Sequence, residues 1–295
     1  MDRLVFYHHP VAENFSLTFS STSPADLAER IDSTEGETKS VGYPFDPPVY
    51  LLYEGDSSEE VASDIDFDPE WLADRTEELS RSGQIVTFRL IELLAAAVEV
   101  REEDEFRLYK DFEPGQIQRA LENVSWGASL PAVAGELMSN LILRHALPNA
   151  NHRTSIAMMQ FCIEAADRTF EMPTTHVDDD TWQAWVDPYI IESKRLITVR
   201  RNNIRFKYLQ DLGVDIVERK GGIRIRLTDY DLDMSPNEAL TQYAVRHEEL
   251  CTDFVRAVLD QSERTDLKES AGPTKKEFVE YLESGVVERD FEELF

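Results

Sequence analysis

Hydrophobic residues recur at helical spacing through the middle of the chain. Between about residues 68 and 201 the apolar positions follow the period of an α-helix. The helices that this pattern predicts are Trp71–Arg81, Ile85–Val100, Gln116–Val124, one before and one after Pro148, and Thr181–Thr198. The run Ile156–Ile163 is apolar on almost every side, so the helix that contains it is expected to be buried on most sides.

The flanking regions carry patterns of β structure. The first region, taken as residues 1–67, has short strand-like runs at Leu4–Tyr7 and Val49–Tyr53. In the last region, taken as residues 202–295, the pattern begins with a helix at Asn203–Leu212. A hairpin of Val214–Val217 and Ile223–Leu227, joined at Gly221–Gly222, follows, and then helices at Glu238–Gln261 and Thr274–Glu283. With 68–201 as the helical core, we expect a mainly α fold with a small N-terminal β region and a C-terminal hairpin plus helices.

The turn between the two central helices holds the residues of greatest chemical interest. His145 ends one apolar helical pattern, Pro148 and Asn149 interrupt it, and Arg153 follows at the start of the next. The N-terminus of a helix favours anions, and an arginine can grip a phosphate through two hydrogen bonds. A histidine at the rim of such a site can accept a proton. The spacing therefore indicates a phosphate-binding site with a candidate general base.

This run, HALPNANHRT from His145 to Thr154, resembles the signature of the Fic/Doc (fido) family, H-x-F-x-D/E-G/A-N-G/K-R, and is nearest to its Doc branch. The resemblance covers the motif and its flanking helices, about residues 131–168, and implies a Fic/Doc-like helical bundle. It implies that His145 is the general base for a target hydroxyl and that Arg153 clamps the distal phosphates of a nucleotide.

The same resemblance implies the rest of the nucleotide site. Asn151 would hold the phosphate-binding loop, and the backbone of Ala150, Asn151 and His152 would form the anion nest. ATP would be the substrate, and Mg²⁺ would bridge its phosphates. Asn149 stands at the position of the family's magnesium ligand, where a carboxylate is usual.

Three positions depart from the signature. A neutral amide at Asn149 supplies an oxygen but no charge, so metal affinity is expected to fall. Leu147 replaces the phenylalanine, which is a change of packing only. His152 occupies the glycine-or-lysine position, where its bulk obstructs the pose of adenylylating members and a partly charged imidazole imitates the lysine of the Doc branch.

The function implied by the resemblance is transfer of AMP (AMPylation), or Doc-like transfer of a phosphoryl group, from ATP to the hydroxyl of a target protein. Two alternatives remain. The first is a catalytically impaired nucleotide-binding module, and the second is the toxin of a toxin–antitoxin pair that a partner restrains. The family's inhibitory motif, S/T-x-x-x-E-G/N, is incomplete at Ser33–Glu37 and at Ser284–Glu288, so restraint in trans, or none, is expected.

Composition narrows the partners and the setting. The formal net charge is −28, with 58 Asp and Glu against 30 Lys and Arg. Such a surface repels anionic membranes and makes nucleic acid an unlikely partner, and it is typical of halophilic proteins, whose self-repulsion is screened by salt. Cys162 and Cys251 lie in apolar helical contexts and are expected as core thiols. The start of the chain shows no signal peptide and no segment matches a membrane span, so a cytoplasmic protein is expected.

Weaker candidates lie elsewhere in the chain. The helix and hairpin over 203–227 resemble part of a winged helix, and its Arg224 and Arg226 keep DNA binding open against the net charge. For His176 and the acidic residues 178–180 two interpretations remain: a cation-binding site, or a loop that caps the helix predicted to start at Thr181. The cap is expected. His8 and His9 are expected at the surface. One basic cluster either reaches phosphates or an acidic partner, or pairs with nearby carboxylates, and pairing is expected. Its members are Lys194, Arg195, Arg200, Arg201, Arg205 and Lys207.

Overall fold

The computed structural model describes residues 2–55, 69–99, 111–177 and 181–285. The chain divides into two compact units, each built from two stretches of sequence. Unit 1 combines Met1–Ser57 with Ile191–Ala244, and unit 2 combines Ser58–Ile190 with Val245–Phe295. The described chain is mainly helical with small sheets, which confirms the expected fold class at that level.

Unit 1 contains two three-stranded sheets. In the first, β1 (Leu4–Phe6) pairs in parallel with β5 (Ile216–Arg219), which pairs antiparallel with β6 (Ile223–Arg226). The second has the order β2–β4–β3 and is antiparallel throughout. Its elements, with the helix between them, are β2 (Phe15–Ser21), α1 (Pro24–Asp32), β3 (Thr38–Tyr43) and β4 (Val49–Gly55).

The hairpin predicted at Gly221–Gly222 is confirmed. Both glycines are left-handed, with φ of 70° and 69°, and they lie in a short 3₁₀ turn between β5 and β6. Glycine adopts this conformation without the steric cost that a Cβ would add. The two strands are offset slightly from the predicted runs, because the ladder pairs Ile216 with Arg226 and Arg219 with Ile223.

Helix α7 (Asp187–Asp211) replaces two predicted helices and crosses from unit 2 into unit 1. Asn202 leaves helical backbone angles, yet its Nδ2 donates to Thr198 O, so the chain bends and the helix continues. The predicted start at Thr181 is wrong, because the backbone around it pairs with the strand-like segment before it: Val177 N–H donates to Thr181 O. Helix α8 (Pro236–Gln261) crosses back from unit 1 to unit 2.

Unit 2 is a helical bundle around a central helix, α6. Among the described residues, this unit contains one end each of α7 and α8 and the whole of six further helices: α2 (Pro69–Thr76), α3 (Arg81–Glu99), α4 (Pro114–Glu122), α5 (Leu130–Arg144), α6 (Asn151–Ala166) and α9 (Lys275–Gly285). Helix α6 packs against α5, α9 and α3, and it is buried nearly all round, as its sequence predicted. The first predicted helix ends early because Thr76 O accepts from the Gln84 side chain and from Leu79 N–H in a turn.

The described helices include none that is long and apolar enough to cross a lipid bilayer. The core of unit 2 is built around aromatic side chains such as Phe161, Phe254 and Phe278, all fully enclosed. Helices α5 and α8 approach unusually closely at Gly135, where an added Cβ would lie 2.6 Å from Thr252 Cα. The glycine therefore sets the spacing of these two helices in unit 2.

Candidate functional site

The candidate site is the turn between α5 and α6, from His145 to Ala150. Helix α5 begins after Ser129, with Pro131 in its first turn, and its apolar face is fully buried. The helix ends at His145, which is left-handed (φ 51°, ψ 48°) and whose N–H donates to Leu141 O. The His145 side chain is partly exposed, at the rim of the turn.

The Asn151 side chain holds the turn closed. Its Oδ1 accepts from Leu147 N–H at 3.3 Å, and its Nδ2 donates to Leu147 O at 2.9 Å and to Asn149 O at 3.4 Å. Leu147 requires one acceptor and one donor, so these contacts fix which end of the amide is oxygen. Asn151 and Leu147 are both buried, which makes the two bonds between them costly to lose.

A second set of contacts surrounds this clamp. Ala150 is left-handed (φ 54°), and Asn149 Oδ1 accepts from Ala150 N–H at 2.6 Å. On the other side, Ala146 O accepts from Glu113 N–H at 3.0 Å, which attaches the turn to the segment before α4. The turn is thus fastened by contacts that come from inside it and from a distant part of unit 2.

The turn leads directly into the first turn of α6. Thr154 is the first residue whose N–H enters the helical ladder, and it donates to Ala150 O at 3.0 Å. The positive end of the α6 dipole therefore lies at Ala150, Asn151 and His152, where it favours negative charge. His152 is half-buried as the second residue of this helix.

Arg153 lies on the side of the helix start that faces Trp182. Its guanidinium carbon is 5.7 Å from the centre of the indole ring, within the range of a cation–π contact. Trp182 is held in place because its backbone bridges to His176 and because Gln183 N–H donates to Thr175 O. The sequence did not point to Trp182, since its segment was expected to begin a helix.

The donor set of the turn does not fit a magnesium ion held by the protein. At the position of the family's metal ligand, the turn offers the side-chain oxygen of Asn149. This oxygen is uncharged, and it already accepts a hydrogen bond from Ala150 N–H. Mg²⁺ prefers carboxylates and phosphates in near-octahedral geometry. Across the residues that the structure describes, no group of three or more His, Cys, Asp or Glu side chains could hold a metal ion.

Behind α5, a buried polar contact joins this helix to α8 within unit 2. His247 Nδ1 lies 2.7 Å from Ser139 Oγ and 3.7 Å from Cys251 Sγ, and all three side chains are buried. The sequence did not point to His247. Cys162 and Cys251 are buried, free thiols, as predicted, and burial raises the pKa of both.

The weaker candidates have mixed outcomes. In the described part of the chain His176 bridges to Trp182, while residues 178–180, its proposed acidic partners, lie outside the described residues. His8 is half-buried rather than exposed: its Nδ1 accepts from Lys220 N–H, and burial together with Lys220 and Arg219 lowers its pKa to about 3. Of the incomplete inhibitory motifs, Ser33 forms the cap of α1 and the second lies largely beyond the described residues.

Several cations of the hairpin and of α7 form ion pairs, and for Arg195 and Lys207 this is the pairing that was expected. Arg224 pairs with Glu218 and Arg226 with Asp2. On α7, Arg195 pairs with Glu192 and Lys207 with Asp211. The pairing expectation is wrong for Arg201 and Arg205, because no carboxylate among the described residues lies within salt-bridge distance of either.

Comparison with family models places residues 1–286 in a family of unknown function, DUF8172, and the match covers nearly the whole chain. Comparisons with the curated proteins and with the solved structures found no match. The chain therefore belongs to the DUF8172 family.

Proposed function

We propose that this member of the DUF8172 family is a nucleotide-dependent transferase that modifies the hydroxyl of a protein, and that the α5–α6 turn is its active site. The proposal joins the resemblance of His145–Thr154 to the Fic/Doc signature with the local geometry of the turn. It includes a Fic/Doc-like arrangement of the helices in unit 2, with ATP as the substrate.

One observation carries the proposal: the turn combines two strained residues with a buried clamp. In the described chain the left-handed residues other than glycine are His145, Ala150 and Glu263, and the first two flank this turn. Such a conformation costs about 1–3 kcal/mol per residue and persists where surrounding contacts enforce it, which is frequent at functional sites. Here the Asn151 clamp enforces it.

The phosphates of the nucleotide would lie at the start of α6. The positive end of the helix dipole and the backbone of Ala150, Asn151 and His152 provide the preference for an anion. Arg153 provides a guanidinium beside them, and its contact with Trp182 limits the directions in which that side chain extends. The hydroxyl of the target would approach from the side of His145.

In the transfer itself, His145 accepts the proton of the target hydroxyl as its oxygen bonds to phosphorus. If the attack is at the α-phosphorus, the bond to the β-phosphate breaks and pyrophosphate leaves. If the attack is at the γ-phosphorus, ADP leaves. Arg153 and the helix start stabilise the charge on the phosphate oxygens in either case. No step passes through a protein-held metal, because Asn149 is engaged with Ala150 N–H.

The test uses ATP labelled separately at the α and γ positions, incubated with the protein and candidate target extract in concentrated KCl. Transfer of the α label identifies AMP transfer, and transfer of the γ label identifies phosphoryl transfer. His145→Ala should reduce transfer by about two to four orders of magnitude while the protein stays folded. His9→Ala, a histidine of unit 1, is the matched control and should retain transfer. Full transfer by folded His145→Ala would remove this histidine from the mechanism.

A second candidate is a nucleotide-binding module without turnover, or a toxin component that a protein partner such as an antitoxin restrains. The neutral, hydrogen-bonded Asn149 favours it, since a carboxylate is missing where the signature has its metal ligand. Asn149→Asp separates the two: restoring the carboxylate should give a magnesium-dependent gain in transfer, and without magnesium it should weaken ATP binding by like-charge repulsion. ATP binding with no transfer by either protein supports the binding module.

A further inference from the structure

Three arginines of unit 1 have no carboxylate within salt-bridge distance among the residues that the structure describes. We name Arg201, Arg205 and Arg219 the cationic cluster. Arg205 and Arg219 are half-buried and Arg201 is exposed. Arg201 and Arg205 lie four residues apart on α7, on either side of the bend at Asn202, and Arg219, the last residue of β5, contacts α7 through its bond to Lys194 O.

The contacts of these arginines are to neutral groups. Arg219 Nη1 donates to Lys194 O at 2.8 Å and to Thr198 Oγ1 at 3.2 Å. Arg205 Nη2 donates to Thr18 O at 3.0 Å, and its Nη1 donates to Asn202 Oδ1. These bonds fix both guanidinium groups in position, and none of them is to a carboxylate.

The cluster stands out against the rest of the chain. Acidic residues outnumber basic ones by 58 to 30, and several cations of α7 and β6, such as Arg195, Lys207 and Arg224, each pair with a carboxylate. Within the described residues, no carboxylate lies in salt-bridge distance of Arg201, Arg205 or Arg219. Glu54 acts on Arg205 only from beyond salt-bridge distance, and its ion pair is with Arg30 at 3.6 Å.

Burial makes this arrangement unfavourable without an anion. Removing a guanidinium from water costs free energy unless a counter-charge and hydrogen bonds replace the water. Arg219 Nε is buried with no hydrogen-bond partner among the described atoms. Desolvation lowers the pKa of both Arg205 and Arg219, and the positive charge of Arg201 lowers that of Arg219 further. A bound oxyanion would offset the desolvation with an opposite charge and would offer Arg219 Nε an acceptor.

We infer that the cationic cluster, with Thr198 and Asn202 beside it, is a binding site for a phosphate group, supplied either by free phosphate or by a phosphate ester. Guanidinium groups held in place by neutral acceptors match the planar, bidentate geometry that phosphate oxygens prefer. The residues that would complete the site are neutral and polar: Tyr7 OH accepts from Asn202 Nδ2 at 3.3 Å, and the half-buried His8 is neutral. The inference is independent of the α5–α6 turn.

The experiment titrates the whole protein with inorganic phosphate, replacing KCl so that ionic strength stays constant and general screening cancels. Binding is followed by calorimetry and by the thermal midpoint, which should rise by about 2–4 °C once phosphate exceeds its Kd several-fold. Hydrogen exchange should slow in α7 and β5 and stay unchanged at the α5–α6 turn. A parallel titration with a phosphate monoester distinguishes the two sources.

Arg219→Gln and the surface variant Arg201→Gln should each weaken phosphate binding about tenfold or more, since each removes a charged hydrogen-bond donor. Arg224→Gln is the matched control, because this exposed arginine of β6 already pairs with Glu218, and its phosphate affinity should equal that of the unmodified protein. The inference is overturned if phosphate has no effect beyond that of KCl, or if Arg201→Gln and Arg224→Gln respond alike.

Discussion

The Asn151 clamp allows a quantitative test of how the turn is held. Asn151→Ala removes the acceptor of Leu147 N–H and the donor to Leu147 O, and both bonds are buried. Each buried group left without a partner costs about 1–3 kcal/mol, so for two groups we expect unit 2 to lose about 2–6 kcal/mol of its free energy of unfolding. The 3.4 Å contact to Asn149 O is too long to add much.

The assay is urea unfolding followed by tryptophan fluorescence. All four tryptophans, Trp71, Trp126, Trp182 and Trp185, lie in the sequence of unit 2, so the signal reports on that unit. With a urea m-value of about 1–3 kcal/mol/M, the expected loss lowers the midpoint by about 1 M or more. The m-value itself should stay constant, because the change is local.

A matched control is Asn140→Ala in α5. Asn140 is also buried, but its Nδ2 makes one bond, to Glu136 O at 2.8 Å, and that carbonyl lies in a helix interior. We expect it to cost about 0.5–1.5 kcal/mol. If Asn151→Ala costs no more than Asn140→Ala, the clamp does not hold the turn and the reasoning fails.

Three further predictions concern separate features. Arg153→Lys should weaken ATP binding, measured by calorimetry, about tenfold, because lysine cannot make the two parallel bonds of a guanidinium. The control is Arg168→Lys, which alters the cation–π contact of an arginine that follows α6 and should bind ATP normally. Gly135→Ala should destabilise unit 2 by about 1–3 kcal/mol in urea, despite its better helix propensity, because the new Cβ would lie 2.6 Å from the backbone of Thr252; a gain in stability would contradict this close approach. The pKa of His8 is lowered from an ordinary 6.5 to about 3, so the unfolded chain binds the proton more tightly than the folded one. The contribution of His8 to stability is therefore complete above pH 6.5, and it falls by about 1.4 kcal/mol per pH unit towards pH 3. His8→Asn, which keeps a hydrogen-bond acceptor, should remove this part of the pH dependence of the free energy of unfolding.

The helices were predictable where their pattern is local. The apolar period on both sides of Pro148 placed α5 and α6 within a few residues of their observed bounds, and Gly221–Gly222 located the hairpin. Strand β3 was not predicted, because its sequence, TKSVGY, is mostly polar and its stability comes from pairing with β4. Helix α1 was also missed: it is only nine residues long, and no residue in it is buried.

The candidate site was predictable as a set of residues but not as a set of contacts. The order of His145, Asn151 and Arg153 is visible in the sequence. The bond from Glu113 N–H to Ala146 O and the position of Trp182 beside Arg153 depend on distant segments, which no local pattern reveals. The hydrogen bond from Ala150 N–H to Asn149 Oδ1 depends on the conformation of the turn. From the sequence alone, this oxygen was a candidate metal ligand.

The parallel pairing of β1 with β5 has a consequence for biosynthesis. Leu4 pairs with Ile216, and β5 is the one strand that neighbours β1 in its sheet as described. At about 5–20 residues per second, the ribosome needs roughly 10–40 s after making β1 to deliver its partner. During that interval Leu4–Phe6 lacks its strand partner and is open to association with other chains or with chaperones. The sheet that contains β1 is therefore completed only after β5 has been synthesised, long after β1 itself.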